Sequence, residues 1–379
     1  MSENKPLKPV KLSVLLSFSG AGGVERMVMN LVREFAQRPD IQLDLLLIRA
    51  RGPHLRDIPD NVRRIDLQAK HTLTAVPELR RYLLEQQPDA LLVAKDRAGR
   101  AALLARKLAG VKTRIVIRLG TNLSTALAHK SLFSRWWRTA PMRMIYPWAD
   151  AVVAVSEGVR QDTLSITGIA ADKVVVIRNP VIRADMQQQA ALAVVHEWLG
   201  SKTGGRSVPV IMGAGRLSEQ KDFATLLAAF ERVVKVRPCR LIILGDGGLR
   251  AVLEDQVAKA DLQDQVSLPG FQANIYAWLK QADLFVLSSR WEGSPNVLSE
   301  ALALGIPSVS TRCPSGPDEV LADGKYGPLV AVGDVDGLAK AMLDTLQNPH
   351  PAEYLQQAVA EYRADVSAAH YLKLLLEQG

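Results

Sequence analysis

The sequence predicts an α/β protein of two doubly wound, Rossmann-like domains facing a central cleft, the first spanning residues 1–182 and the second 183–362. Three observations carry this prediction. Short runs rich in Val, Leu and Ile alternate with longer amphipathic segments, and the series occurs twice. The runs are nearly all apolar, as strands buried on both faces of a parallel sheet must be. A length of 379 residues exceeds one ordinary core and suits two.

In the first half, the strand-like runs are Leu12–Phe18, Leu43–Ile48, Ala90–Ala94, Arg114–Arg118, Ala151–Val155 and Val174–Ile177. Helical spacing fills Val24–Gln37, Pro77–Gln86 and Gly99–Leu108 between them. Parallel strands joined this way imply right-handed crossovers. The alternation stops near Asn179-Pro180, where a hinge is expected, and a Gly-Gly-containing stretch reads as a loop before the second series. That series has strands at Val208–Met212, Leu241–Leu244, Gln265–Leu268, Leu284–Leu287 and Ser308–Ser310. Its helices include Phe223–Val236, Leu249–Ala260 and Asn296–Leu304, and a last helix, about 363–379, is expected to pack back on the first domain.

Composition narrows the class. Two cysteines, Cys239 and Cys313, make neither a disulfide framework nor a metal cluster, so a reducing compartment is the simplest expectation. No apolar run approaches the roughly 20 residues that span a bilayer, and the N-terminus lacks the apolar core of a signal peptide. Residues 1–180 carry 29 Lys and Arg against 16 Asp and Glu, a net +13, whereas the remainder is −5. The first half is therefore expected to meet an anionic surface or substrate. Between Lys130 and Trp148, cations mix with Phe133, Trp136, Trp137 and Trp148, as in interfacial segments that rest on lipid headgroups. A helix packed inward on the first domain would use the same aromatics as core. Nucleic acid would call for aromatics spread along a basic stripe, and these are bunched, so no nucleic-acid partner is expected.

The loops carry the chemistry. Arg290-Trp-Glu292-Gly293-Ser294-Pro295-Asn296-Val297-Leu-Ser-Glu300 sets two glutamates eight positions apart across a strand-to-helix loop. Pro295 suits a first helical turn, which leaves free N–H groups near Ser294–Val297 for an anion. Glu300 is expected about two turns into the helix. Carboxylates on both sides of such a site suit a ligand with sugar hydroxyls at one end, a diphosphate in the middle and a ribose at the other. Upstream, Gly213-Ala-Gly215-Arg216-Leu-Ser-Glu-Gln-Lys221 places a planar guanidinium and a mobile ammonium five positions apart, a pair able to neutralise one diphosphate. Gly20-Ala-Gly22-Gly23-Val-Glu25 opens the first helix with small residues. Asp246 and the pair Asp334/Asp336 have no partner ligands at useful spacing, so no metal and no cofactor is expected.

These motifs, in this order and over nearly the whole chain, resemble the retaining GT-B glycosyltransferases called GT4. The resemblance implies transfer of a hexose or N-acetylhexosamine from a nucleotide sugar, UDP-linked by subgroup, to an acceptor hydroxyl. Glu292 would contact the donor sugar and Glu300 the ribose, while Arg216 and Lys221 would neutralise the leaving diphosphate without metal. Gly22, Gly23, Gly215, Gly245, Gly247, Gly293, Ser294, Asn296 and Val297 would approach the donor through backbone, and Phe271 and Gln272 would border the base. Many relatives place a His in the first domain facing the sugar; here that segment reads Arg118-Leu-Gly-Thr-Asn122, and Arg118 or Asn122 is expected in its place. The loop Cys313-Pro-Ser-Gly-Pro-Asp-Glu319 resembles members that build on polyprenyl diphosphate glycans in bacterial cell-surface polysaccharide or lipopolysaccharide assembly. A lipid-linked acceptor and a cytoplasmic position on the inner membrane face follow from that. Two alternatives stay open: a nucleotide-sugar epimerase of the same shape, and a non-catalytic protein binding sugar nucleotide or nucleic acid.

Overall fold

The computed structural model describes residues 9–17, 22–48, 50, 55, 57–69, 71–127, 131–199 and 208–377. The chain separates into two compact units, 1–181 with 363–379, and 182–362.

Unit 1 runs β1 (Val10–Ser17), α1 (Gly23–Ala36), β2 (Ile41–Ile48), β3 (Arg63–Leu67), α2 (Val76–Gln86), β4 (Ala90–Ala94), α3 (Asp96–Ala109) and β5 (Arg114–Leu119). It continues through α4 (Leu123–Ala126), α5 (Leu132–Ile145), β6 (Ala151–Ala154), α6 (Glu157–Thr167) and β7 (Val174–Val176). Its seven strands pair in parallel in the order β3-β2-β1-β4-β5-β6-β7. One sheet face packs on Val28, Leu31 and Phe35 of α1, and the other on Leu79, Leu83, Ala102 and Met142 of α2, α3 and α5. Helices on both faces explain the unbroken apolar runs, because every strand side chain meets a hydrophobic layer.

β3 is absent from the sequence expectation. Its Arg63 and Arg64 pair with Asp44 and Asp66, and only Leu67 is buried, so this edge strand lacks an apolar signature. Next to it, Tyr82 bonds Ser13 at 2.7 Å and Asp44 at 2.6 Å, a buried polar link that ties α2 to the sheet.

Unit 2 runs α7 (Met186–Ala190), β8 (Val210–Ala214), α8 (Phe223–Val236), β9 (Arg240–Leu244), α9 (Arg250–Lys259), β10 (Val266–Gly270), α10 (Ile275–Leu279) and β11 (Leu284–Leu287). It ends with α11 (Asn296–Ala303), β12 (Ser308–Thr311), α12 (Pro317–Val320), β13 (Leu329–Val330), α13 (Val335–Gln347) and α14 (Ala352–Gln357). The six parallel strands are ordered β10-β9-β8-β11-β12-β13. Leu226, Phe230, Leu253 and Met342 of α8, α9 and α13 fill one face of that sheet.

The chain then re-enters unit 1 through α15 (Ala364–Leu376), which places Ala368, Tyr371 and Leu375 in the layer that holds α1. The chain segments at the crossover are fixed by hydrogen bonds within each unit. Asn30 Nδ2 donates to the Pro180 carbonyl at 2.8 Å and Ser367 Oγ to that of Arg178 at 2.9 Å. In unit 2, Ile182 N donates to the Tyr362 carbonyl at 2.9 Å.

Each sheet reverses its winding once, between β1 and β4 in unit 1 and between β8 and β11 in unit 2. Beyond the carboxyl ends of strands at such a point the loops diverge and leave room for a ligand.

Candidate active site

In unit 2 the two diverging loops are those after β8 and after β11, and they hold the residues singled out by the sequence. Lys221 Nζ lies 2.5 Å from Glu292 Oε1, and Ser289 Oγ donates to the same oxygen at 2.6 Å. Glu292 is buried, with its own N–H on the Pro314 carbonyl at 3.1 Å. The loops are joined at further points, among them a bond from Arg290 N to the Gln220 carbonyl at 2.8 Å. Gln220 Nε2 donates to the Trp291 carbonyl at 2.9 Å, Ser288 Oγ to the Lys221 carbonyl at 2.8 Å, and Arg290 Nε to Asp222 at 3.0 Å. An ammonium and a carboxylate 71 positions apart are thus held together. Arg216 stands exposed on the same loop.

Glycine makes this geometry possible. Gly215 has φ +156, and a Cβ there would meet the Lys221 side chain at 3.0 Å. Gly245 has φ +129, and its Cβ would fall 1.9 Å from the Gly215 carbonyl oxygen. The turns after β8 and β9 therefore touch backbone to backbone, which side chains would forbid. Gly247 packs in the same way against Leu217.

Two details depart from the sequence expectation. Pro295 caps α11 rather than opening it, so Glu300 is the fifth helical residue, little more than one turn in. The 292–295 segment packs closely against Gly316, at φ +107, where an added Cβ would meet Pro295 at 2.6 Å. Glu300 is fully buried, while Asn296 and Val297 are partly open. Gly293 is buried with the turn, and Ser294 is half-buried. At the end of β10, Phe271 is exposed and Gln272 donates to the Pro269 carbonyl at 3.2 Å. The two aspartate elements have structural tasks: Asp246 accepts from Gly247 N at 2.7 Å, and Asp334 caps α13 through Gly337 N at 2.8 Å.

Cys313 lies beside this site. Burial, and then the Glu292 charge, push its thiol up to about 12, so it stays protonated.

Unit 1 offers a second set of groups at its own reversal point. Gly22 caps α1, which begins at Gly23. A Cβ on Gly22 would meet Glu25 Oε2 at 2.4 Å, so the carboxylate lies directly against the loop. Glu25 accepts from Lys95 Nζ at 2.7 Å, and Lys95 Nζ also donates to the Ser17 carbonyl at 2.9 Å. Lys95 holds φ 76 and ψ 143, a conformation close to glycine's own territory that costs other residues on the order of 1–3 kcal/mol. Sequence reasoning did not single out Lys95; its signal is a cation where a strand of apolar residues ends.

Arg118 is enclosed in unit 1 at 1% exposure, not displayed on its surface. Its Nη2 donates to Asn179 Oδ1 at 2.5 Å, and Nε and Nη1 have no hydrogen-bond partner. Burial raises the phenol of Tyr371 to about 12, and Arg118 beside it pulls the other way. Asn122 caps α4, accepting from Thr125 N at 3.1 Å. Phe18, Gly20 and Lys130 lie outside the described residues.

Known proteins match both units. The family description "Glycosyltransferase Family 4" matches residues 21–184 and "Glycosyl transferases group 1" residues 208–348. An uncharacterized glycosyltransferase of Methanocaldococcus jannaschii is 39% identical over 154 residues, 40% of this chain and 37% of that protein. The N-acetylgalactosamine-N,N'-diacetylbacillosaminyl-diphospho-undecaprenol 4-alpha-N-acetylgalactosaminyltransferase of Campylobacter jejuni is 26% identical over 345 residues, 89% of this chain and 90% of its own length. Among solved structures, Anabaena HepE in complex with UDP and glucose superposes with a TM-score of 0.75 at 18% identity, over 97% of this chain and 99% of that one. The fold is GT-B.

Proposed function

The chain is a member of glycosyltransferase family 4, and from that premise we propose that it moves a hexose or N-acetylhexosamine from a UDP-sugar to an acceptor hydroxyl with retention at the anomeric carbon. The observation that carries this is the Lys221–Glu292 pair at the reversal point of unit 2, between the exposed Arg216 and the buried Glu300. When donor binds, Glu292 receives sugar hydroxyls, and Lys221 and Arg216 meet the diphosphate. The bond from anomeric carbon to diphosphate oxygen breaks, the bond to the acceptor oxygen forms, and the acceptor proton leaves on the diphosphate. Preplaced cations stabilise the charge that develops on that leaving group, and alignment of the acceptor supplies most of the rest.

The acceptor is proposed to be a polyprenyl diphosphate glycan of bacterial surface polysaccharide assembly, reached at the cytoplasmic membrane face. The full-length Campylobacter jejuni relative, named for a diphospho-undecaprenol substrate, supports this. So does helix α5, where Phe133, Trp136 and Trp137 are 71%, 59% and 59% exposed beside Arg135 and Arg138. Residues 101–150 carry nine Lys and Arg against Asp150 as the lone acid. No helix among the described residues is long and apolar enough to cross a membrane. The test is a panel of UDP-, GDP- and ADP-sugars with a short-chain polyprenyl diphosphate glycan. Products are read by mass spectrometry, and the new anomeric centre by NMR. A β-linked product from an α-linked donor, or transfer only from GDP- or ADP-sugars, contradicts the proposal.

A further inference from the structure

Lys95 has a backbone conformation that the fold does not require of a lysine. At the end of a strand entering a helix, Gly or Asn would take a positive φ with less strain. Yet Lys95 stands there with φ 76, one residue before α3 begins at Asp96. Strain of this kind persists where the surroundings over-determine it and clusters at ligand sites. The surroundings here are explicit. Glu25 from α1 and the Ser17 carbonyl at the end of β1 hold the ammonium, and Lys95 N donates to the Arg118 carbonyl of β5 at 3.1 Å. Three elements thus converge to fix one residue, whose side chain keeps 32% of its surface open.

Glu25 is a carboxylate with 4% side-chain exposure, paired with Lys95. The second cation at this edge is Arg118, buried at 1%, with Nε and Nη1 lacking hydrogen-bond partners. Nη1 lies 3.1 Å from where a Cβ of Gly120 would stand, and Val24 of α1 borders the same position at 3.7 Å. Arg118 and the positive end of a 14-residue helix therefore lie at the same edge of unit 1 as Lys95. Such a site favours an anion, and Lys95 is the cation in reach of one.

We infer that Lys95 is the contact in unit 1 for a phosphate oxygen of the acceptor, with Glu25 as its positioning residue. This rests on the reading that unit 1 takes the acceptor. It predicts that the enzyme distinguishes a diphosphate-linked glycan from the same glycan carried as a methyl glycoside.

The experiment uses the full chain without donor and measures binding by calorimetry. The probes are a short-chain polyprenyl diphosphate glycan, its methyl glycoside, and UDP. Removing the lysine alone would leave the buried Glu25 without the cation beside it, so the main variant is the double substitution Lys95→Met/Glu25→Gln. That variant should bind the diphosphate glycan at least about tenfold more weakly, the loss of one charge-assisted contact. Its affinities for UDP and for the methyl glycoside should stay within about twofold. Lys95→Arg keeps the charge and should recover part of the affinity. Thermal melting of each variant separates weaker binding from loss of fold. Unchanged affinity for the diphosphate glycan in a folded double variant overturns the inference, and so does an equal loss for all three probes. Wild-type affinity no better for the diphosphate than for the methyl glycoside also overturns it. Failure of the function reading looks different: diphosphate binding would persist, sensitive to Lys95, with no sugar transferred from any donor.

Discussion

At the scale of single residues, the site is an ion pair waiting for substrate. Lys221 and Glu292 satisfy each other at 2.5 Å in a mostly buried setting. In the proposed reaction, substrate reorganises that pair and the ammonium then serves the diphosphate. Lys221→Ala and Arg216→Ala should each cost roughly 2–4 kcal/mol of transition-state stabilisation, a 30- to 1,000-fold fall in kcat/KM with the fold retained. Near-normal kcat/KM in both variants would remove these residues from the mechanism. If these cations take the leaving-group charge as proposed, turnover should persist in EDTA. Loss of activity on chelation that Mg²⁺ or Mn²⁺ restores would show a metal in that role instead. The buried thiols give a pH signature. Burial raises Cys239 to about 11 and Cys313 to about 12 from an ordinary value near 9. Between pH 9 and 11 the folded chain therefore retains protons that the unfolded chain releases, so stability falls as pH rises through that window. Denaturant midpoints across pH 8–11 should drop, and Cys239→Ala/Cys313→Ala should flatten the slope. Native protein at pH 8 should resist thiol alkylation, since the thiolate is the reactive form.

At the scale of elements, the site depends on loops that meet without side chains. Gly245 and Gly215 touch backbone to backbone at the ends of β9 and β8. Gly245→Ala adds a Cβ into a 1.9 Å gap and forces a positive φ on alanine. It should lower the melting temperature of unit 2 by several degrees and raise the donor KM more than the acceptor KM, because the loop that moves carries Lys221. Gly248→Ala, one turn away with open space at its Cβ, is the control and should change little. An effect of similar size from both would mean the contact does not position Lys221. The sequence marked both glycines as small turn residues. It did not show that they face one another, because residues 30 positions apart are brought together only by the pairing of β8 with β9.

For the whole molecule, charge is the organising quantity. Residues 1–180 are +13 and the rest −5, and α5 presents Trp136 and Trp137 in edge contact at 5.7 Å on an exposed surface. Near an anionic membrane each cation contributes about 1 kcal/mol, screened over a Debye length of about 8 Å at physiological salt. Co-sedimentation should therefore show binding to anionic vesicles, release in high salt and no binding to neutral ones. A Trp136→Ala/Trp137→Ala/Arg138→Ala variant should bind less and keep its activity on a soluble short acceptor. Unchanged binding by that variant would return α5 to ordinary surface.

What the sequence determined by itself was the pair of doubly wound sheets and the residues of the loops that meet at the reversal point of unit 2. Strands buried on both faces must be apolar throughout, and phosphate chemistry needs glycine, cation and carboxylate in short loops. Both requirements are written locally. Edge strand β3 escaped because exposed strands carry charges, and Lys95 escaped because an isolated lysine looks like any solvated one. Only the tertiary structure decided that Lys221 pairs with Glu292, that Arg118 turns inward to Asn179, and that Lys95 is strained against Glu25. Each of these joins residues more than 60 positions apart, and the order of strands in the sheet, which periodicity does not specify, sets which loops become neighbours.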